Sequence, residues 1–133
     1  MTDPSLNAAP LRLLVVEDEF LVASTLEAML EDQGHVICGI AATAEEACDL
    51  ATRERPDLVL MDIRLAGGSD GVEAALRIRR ELGIASIFAT GNTEPGTRQR
   101  AAAAEPVGWL AKPYSDEALA SALAEARSVL GLR

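Results

Sequence analysis

Histidine is almost missing from this chain. His35 stands alone among 133 residues, so no histidine-built metal centre is available. It follows Gly34 and reads as the residue that opens a strand. Cysteine is scarce too. Cys38 and Cys48 match no metal-ligand spacing, and the start, MTDPSLNAAP, has neither the basic n-region nor the apolar h-region of a secretory signal. Buried free thiols and a cytoplasmic location are therefore expected. No apolar run approaches the roughly 20 residues that span a bilayer. Basic residues are outnumbered, 12 against 21 acidic, for a formal net charge of −9. This argues against nucleic acid as the direct partner, because phosphate backbones are held by Lys and Arg patches, though such a charge also serves as a plain solubility surface.

What is present is an alternation. Short apolar runs fall at 11–16 (LRLLVV), 36–41 (VICGIA), 58–61 (LVLM), 86–90 (SIFAT) and 107–111 (VGWLA). They have the length of strands, and several are too uniformly apolar to face water on either side, as parallel strands covered by helices are. Amphipathic segments separate them. Val22, Leu26, Met29 and Leu30 share one face, and Gly34 stands at a C-terminal cap. Thr43 caps a segment with Ala44, Ala47, Cys48 and Ala51 inward. Ser69 or Asp70 starts a third, with Val72, Ala75 and Leu76 inward, stopped by Gly83. Residues 98–105 offer only alanines to a core, so this is the least anchored helix. Ser115 starts the last, lined by Leu119, Ala122, Leu123, Ala126 and Leu130. Residues 1–10 hold two prolines and are expected as a loose arm. Residues 11–133 form one α/β domain, a five-stranded parallel sheet wrapped by helices on both faces. Strand order 2-1-3-4-5, the flavodoxin-like winding, is the common solution, with its ligand site beyond the carboxyl ends of strands 1 and 3.

Those strand ends carry chemistry. Strand 1 runs into Glu17 and Asp18, strand 3 into Asp62, strand 4 into Thr90 and Gly91, and strand 5 into Lys112 and Pro113. Taken singly, each is ordinary: an aspartate after a strand usually serves a turn, and a lysine is usually solvated. Gathered at one sheet edge, they form a constellation. Two like charges ~4 Å apart repel by about 4 kcal/mol at an effective dielectric of 20, so three carboxylates need a cation among them. Oxygen ligands alone favour a hard ion, Mg²⁺ or Mn²⁺. Asp18 and Asp62 suit direct ligation, and Glu17 is long enough to act through water. A divalent ion does not require Thr90 and Lys112, whereas a phosphoryl group does: lysine pairs with one oxygen and threonine donates to another. The set therefore suits a carboxylate, Asp62, that attacks phosphorus.

From Arg12 to about Leu132 the chain resembles the receiver domain of two-component response regulators. The pieces that carry the resemblance are VVEDE, LVLMDIRL, FATGN and WLAKPY, in order. It implies that Asp62 accepts the phosphoryl group and that Glu17 and Asp18 form the acidic pair for Mg²⁺. The backbone carbonyl of Arg64 is implied as a further ligand, Thr90 as the switch hydroxyl, Lys112 as the phosphate contact, and Lys112–Pro113 as a cis peptide. Trp109 holds the place of the strand-5 aromatic that turns inward on activation, and an interface or core role is its alternative. The implied donor is a phosphohistidine on a sensor histidine kinase or phosphotransfer protein, and the receiver itself catalyses transfer and later hydrolysis. Three departures stand out. Ala66 replaces the usual proline in a loop one residue longer than usual, RLAGGSDG. Arg64 and Asn92 occupy variable positions that tune phosphoryl lifetime. FATGN begins like the FATGUY motif of single-domain alphaproteobacterial regulators but lacks its hydrophobic-then-tyrosine ending.

The 133 residues hold no helix-turn-helix, zinc motif or catalytic appendage, so if they are the whole protein the output is protein contact or phosphoryl passage. The expected output is a protein-interaction face of helix 4, strand 5 and helix 5, engaging a target or a second copy; a phosphoryl shuttle without dedicated output is the alternative. A phosphatase of the haloacid dehalogenase type fits less well, because its D-x-D pair would place an aspartate where Arg64 stands.

Overall fold

The computed structural model describes residues 9–91 and 95–132. The strands are β1 (Arg12–Val16), β2 (Val36–Ala41), β3 (Leu58–Asp62), β4 (Ser86–Thr90) and β5 (Gly108–Ala111). The helices are α1 (Phe20–Asp32), α2 (Ala44–Glu54), α3 (Gly71–Leu82), α4 (Pro95–Ala101) and α5 (Asp116–Leu130). All neighbouring strands pair in parallel, in the order β2-β1-β3-β4-β5, the winding expected from the alternation. Alternate residues of each strand serve two cores. Leu14, Val16, Val59, Met61 and Phe88 meet α2, α3 and α4 on one face. Leu13, Val15, Leu58, Leu60 and Ile87 meet α1 and α5 on the other. Fully burying one such side chain contributes about 1.5–3 kcal/mol, so the three central strands anchor the domain.

The helix starts follow from their caps. Thr43 accepts the Glu46 N–H at 3.1 Å, and Ser115 accepts the Ala118 N–H at 3.1 Å. Of the two candidates for α3, Asp70 is the cap, accepting the Val72 N–H at 2.8 Å. Gly34 and Gly83 turn the chain after α1 and α3 with φ of 91° and 72°, a region that disfavours side chains.

Strand β2 lies at the sheet edge, as the expected order requires, and Val36 and Ile40 of its apolar run are exposed. Two expectations need correction. In α1 the buried stripe is Ala23, Leu26 and Leu30, with Val22 and Met29 only half-buried. Helix α4 begins earlier and ends earlier than 98–105, passing into a 3₁₀ turn at Ala102–Ala104; Ala101 and Ala104 are its buried side chains. The expected arm falls almost wholly outside the described residues. Ala9, at its end, accepts a hydrogen bond from Arg127 at 2.8 Å. Cys38 and Cys48 are free thiols, pushed up in pKa chiefly by burial and so poorly reactive. Among the described residues no helix is long and apolar enough to cross a membrane.

His35 does more than open a strand. Its Nδ1 accepts the Leu11 N–H at 3.1 Å, tying the entrance of β1 to that of β2. Burial, and then the nearby Arg127 charge, hold its pKa below the ordinary 6.5. An imidazolium would turn an N–H against the Leu11 N–H and lose the bond. The unfolded chain therefore binds this proton more readily than the folded one. The contribution is complete above the unfolded pKa and is lost as pH falls toward the depressed folded value. Urea midpoints measured from about pH 7.5 to about pH 5.5 should fall more steeply for the parent than for His35→Gln. Parallel slopes would show that His35 does not carry this linkage.

Candidate functional site at the carboxyl ends of the strands

The winding brings the sequence-selected residues to one edge. Val16 pairs with Met61, so the next residues, Glu17 and Asp62, emerge side by side. Asp62 pairs with Ala89, which places Thr90 just beyond it, and Lys112 donates its backbone N–H to the Thr90 carbonyl at 2.9 Å. Glu17, Asp18 and Asp62 each offer a carboxylate oxygen within 4.8 Å of the others. Glu17 is buried at 5% exposure, Asp62 is half-buried and Asp18 faces solvent.

Lys112 holds this cluster together. Its Nζ donates to Glu17 Oε1 at 2.6 Å and to Asp62 Oδ2 at 3.1 Å. Burial alone would lower its pKa, but the hydrogen bonds it donates to Glu17 and Asp62, and the charges of those carboxylates, outweigh burial and leave the ammonium raised above the usual lysine value. The Lys112–Pro113 peptide is cis. Lys112 is also the only lysine among twelve basic residues, a compositional signal not exploited by the strand-end reading. Lysine offers a compact, rotatable point charge where arginine offers a rigid fork, which suits a cation that must serve two acids. Tyr114, two residues on, has its pKa raised by burial first, with Glu17 and Asp62 adding to that and Lys112 opposing it.

Three carboxylates set against one ammonium leave two formal negative charges in the cluster. That imbalance, the oxygen-only donor set and the solvent-facing Asp18 fit a hard dication such as Mg²⁺. Glu17 is turned by its own loop, where its Oε2 accepts the Glu19 N–H at 3.2 Å.

Behind Asp62 the loop is more ordered than its glycines suggest. Gly67 and Gly68 have φ of 70° and 75°, and residues 66–68 form a 3₁₀ turn. The chain then returns: Leu65 donates to the Ser69 carbonyl at 3.2 Å, Gly71 donates to the Ile63 carbonyl at 2.8 Å, and Arg64 pairs with Asp70 in an antiparallel bridge. A Cβ on Gly71 would lie 1.8 Å from the Asp62 carbonyl oxygen, so only glycine lets α3 start this close to the strand end. Gly71 escaped the sequence reading because its requirement is a tertiary approach.

Trp109 is half-buried beside Phe88, ring centroids 5.1 Å apart, and the Arg98 guanidinium lies 4.5 Å from its ring. Asn92 lies outside the described residues. Arg98 and Arg100, both on α4, were not among the residues the sequence singled out. Arg100 pairs with Asp70 Oδ2 at 2.5 Å and, with Arg64, Thr90 and Thr97, lines a cavity of about 410 Å³ next to the site.

The likeness to known proteins agrees with this geometry. Residues 13–124 match the model of the response regulator receiver domain. The chain is 36% identical to the phyllosphere-induced regulator PhyR of Methylorubrum extorquens over 86% of its own length and 42% of that protein. It is 35% identical to the transcriptional regulatory protein PdtaR of Mycobacterium tuberculosis over 86% of its own length and 57% of that protein. It thus spans about half the length of these curated relatives. Among solved structures, the signal receiver domain of a modulated diguanylate cyclase from Desulfovibrio desulfuricans G20 superposes with a TM-score of 0.85. The identity is 37%, covering 92% of this chain and 97% of that one. A parallel sheet wound 2-1-3-4-5, acids and a lysine converging at its carboxyl edge, and a family match across most of its length place this chain in the response regulator receiver domain family of two-component signalling.

Proposed function

We propose that this chain receives a phosphoryl group on Asp62 from a phosphohistidine of a sensor kinase or phosphotransfer protein. The observation that carries the reading is the bridge from Lys112 to both Glu17 and Asp62 at the switch point of the sheet. Asp18, Asp62 and the Arg64 carbonyl would hold Mg²⁺, with Glu17 acting through water. Bound there, the ion would offset the negative charge that gathers as phosphorus approaches a carboxylate.

The protein's own residues do the rest. Asp62 supplies the attacking oxygen; the new O–P bond forms as the donor's N–P bond breaks, and the electron pair leaves with the imidazole. Lys112, already 3.1 Å from Oδ2, needs only a short movement to pair with a phosphoryl oxygen. Thr90, buried at the end of the neighbouring strand, supplies a hydroxyl to another oxygen. Hydrolysis of the acyl phosphate by water returns the carboxylate. Incubation with acetyl phosphate and Mg²⁺ should add one phosphoryl mass to the parent and none to Asp62→Asn, and chelating the metal should abolish the adduct. An equal adduct on both chains would move the acceptor elsewhere.

The output proposed is a change in the face built by α4, β5 and α5, which then binds a protein partner or a second copy. Helix α4 has seven residues, offers alanines to the core and lies against Trp109 through Arg98, so it is inexpensive to shift. With beryllofluoride and Mg²⁺ as the phosphoryl mimic, amide-exchange protection should change severalfold along α4 and β5 while β1 and β3 stay unchanged. Identical protection with and without the mimic would remove this output.

A further inference from the structure

The Arg64–Asp70 segment has little stiffness of its own. Ala66 stands where its family usually places proline, and two consecutive glycines sit at positive φ. Yet this segment carries the Arg64 carbonyl proposed to ligate the metal, and it packs Gly71 directly on the Asp62 carbonyl. Backbone hydrogen bonds from Leu65 to Ser69 and from Gly71 to Ile63 close the loop, and a side-chain contact from outside adds to them. The returning limb is fixed at Asp70, whose side chain works in two directions. Oδ1 caps α3 through the Val72 N–H at 2.8 Å, and Oδ2 accepts Arg100 of α4 at 2.5 Å. The Asp70 backbone lies opposite Arg64 in an antiparallel bridge whose hydrogen bonds run between the flanking residues, Leu65 N–H to the Ser69 carbonyl and Gly71 N–H to the Ile63 carbonyl. A line of contacts therefore runs from α4 through Arg100 and Asp70 to the limb of the loop that carries Arg64.

We propose that Arg100 is a positioning residue for the metal-binding loop: its ion pair with Asp70 holds the Arg64 carbonyl in place, so that the seat of α4 and the Mg²⁺ affinity of the site are coupled. The inference rests on the receiver-site reading above. Its reciprocal follows from linkage: whatever displaces α4 weakens the metal site, and metal binding favours the seated helix. The Arg100 side chain is 49% exposed and that of Asp70 27%, so the coupling is modest and screened by salt.

The sign of the effect separates this role from simple electrostatics. Removing a positive charge close to a dication site should tighten Mg²⁺ binding if charge alone matters. Loss of the positioning contact should weaken it. Mg²⁺ titrations of the whole chain, followed by amide chemical shifts of Asp18, Asp62 and Arg64, read the dissociation constant directly. Arg100→Ala should raise it about threefold to fivefold, the range of an exposed ion pair. Asp70→Asn keeps an effective cap but loses the pair and should weaken binding similarly. The double variant should be no weaker than the weaker single variant, and Arg100→Lys should restore most of the affinity. Thermal midpoints identify any variant that has merely lost its fold, in which case Arg100→Lys and Asp70→Asn decide. Unchanged or tighter Mg²⁺ binding by Arg100→Ala would overturn the coupling while leaving the receiver site intact. A parent chain that binds no Mg²⁺ at its acidic cluster would overturn the site reading, and this inference with it.

Discussion

One ammonium group sits between two acids drawn from different strands, and the rest of the site depends on it. Lys112 comes from the end of β5, Glu17 from the end of β1 and Asp62 from the end of β3. Only a parallel sheet wound with its reversal between β1 and β3 can bring those ends together, because in such a sheet every strand points its carboxyl end the same way. Without the lysine, a nearly buried Glu17 would face Asp62 and Asp18 with no opposing charge, and burial magnifies that repulsion. With it, the cluster keeps enough negative charge to attract a dication, and its cation stands beside the proposed acceptor oxygen.

The surroundings of the site divide into rigid and movable parts. The central strands β1, β3 and β4 are buried on both faces and hold Glu17, Asp62 and Thr90 with little freedom. Helix α4 is different. It is short, buries small alanines, and reaches its neighbours through two long cationic side chains: Arg98 over the Trp109 ring and Arg100 on the α3 cap. Contacts of this kind are individually modest, which is what a switching element requires. The chemistry thus rests on packed strands, and the response is assigned to a helix that is only lightly held.

The sheet and its chemical edge were legible because each key residue ends an apolar run or lies within two residues of its end. Parallel strands buried on both faces write those runs plainly, and their ends mark where polar residues emerge. The caps at Thr43 and Ser115 were legible for a similar reason, being local in sequence. The exposure of Val36 and Ile40 was not legible in the apolar run itself; only the strand order, with β2 at the edge, implies it. Nor were Arg98, Arg100 and Gly71. The reach of a long arginine is set by tertiary neighbours, and the demand for glycine at 71 arises from the backbone of Asp62, nine residues earlier in the chain. The single lysine was a signal in plain view, since a chain that otherwise uses arginine for its basic residues places its one rotatable ammonium at the site.

The central claim is that Lys112, Asp62 and Asp18 form one phosphoryl- and metal-binding unit. A crystal structure of the complex with Mg²⁺ and beryllofluoride tests it most directly. The account predicts beryllium bonded to an Asp62 oxygen, Mg²⁺ at about 2.1 Å from oxygens of Asp18, Asp62 and the Arg64 carbonyl, and Lys112 and Thr90 contacting the fluorides. An adduct on another residue, or Lys112 turned away from the fluorides with the metal bound elsewhere, would contradict it.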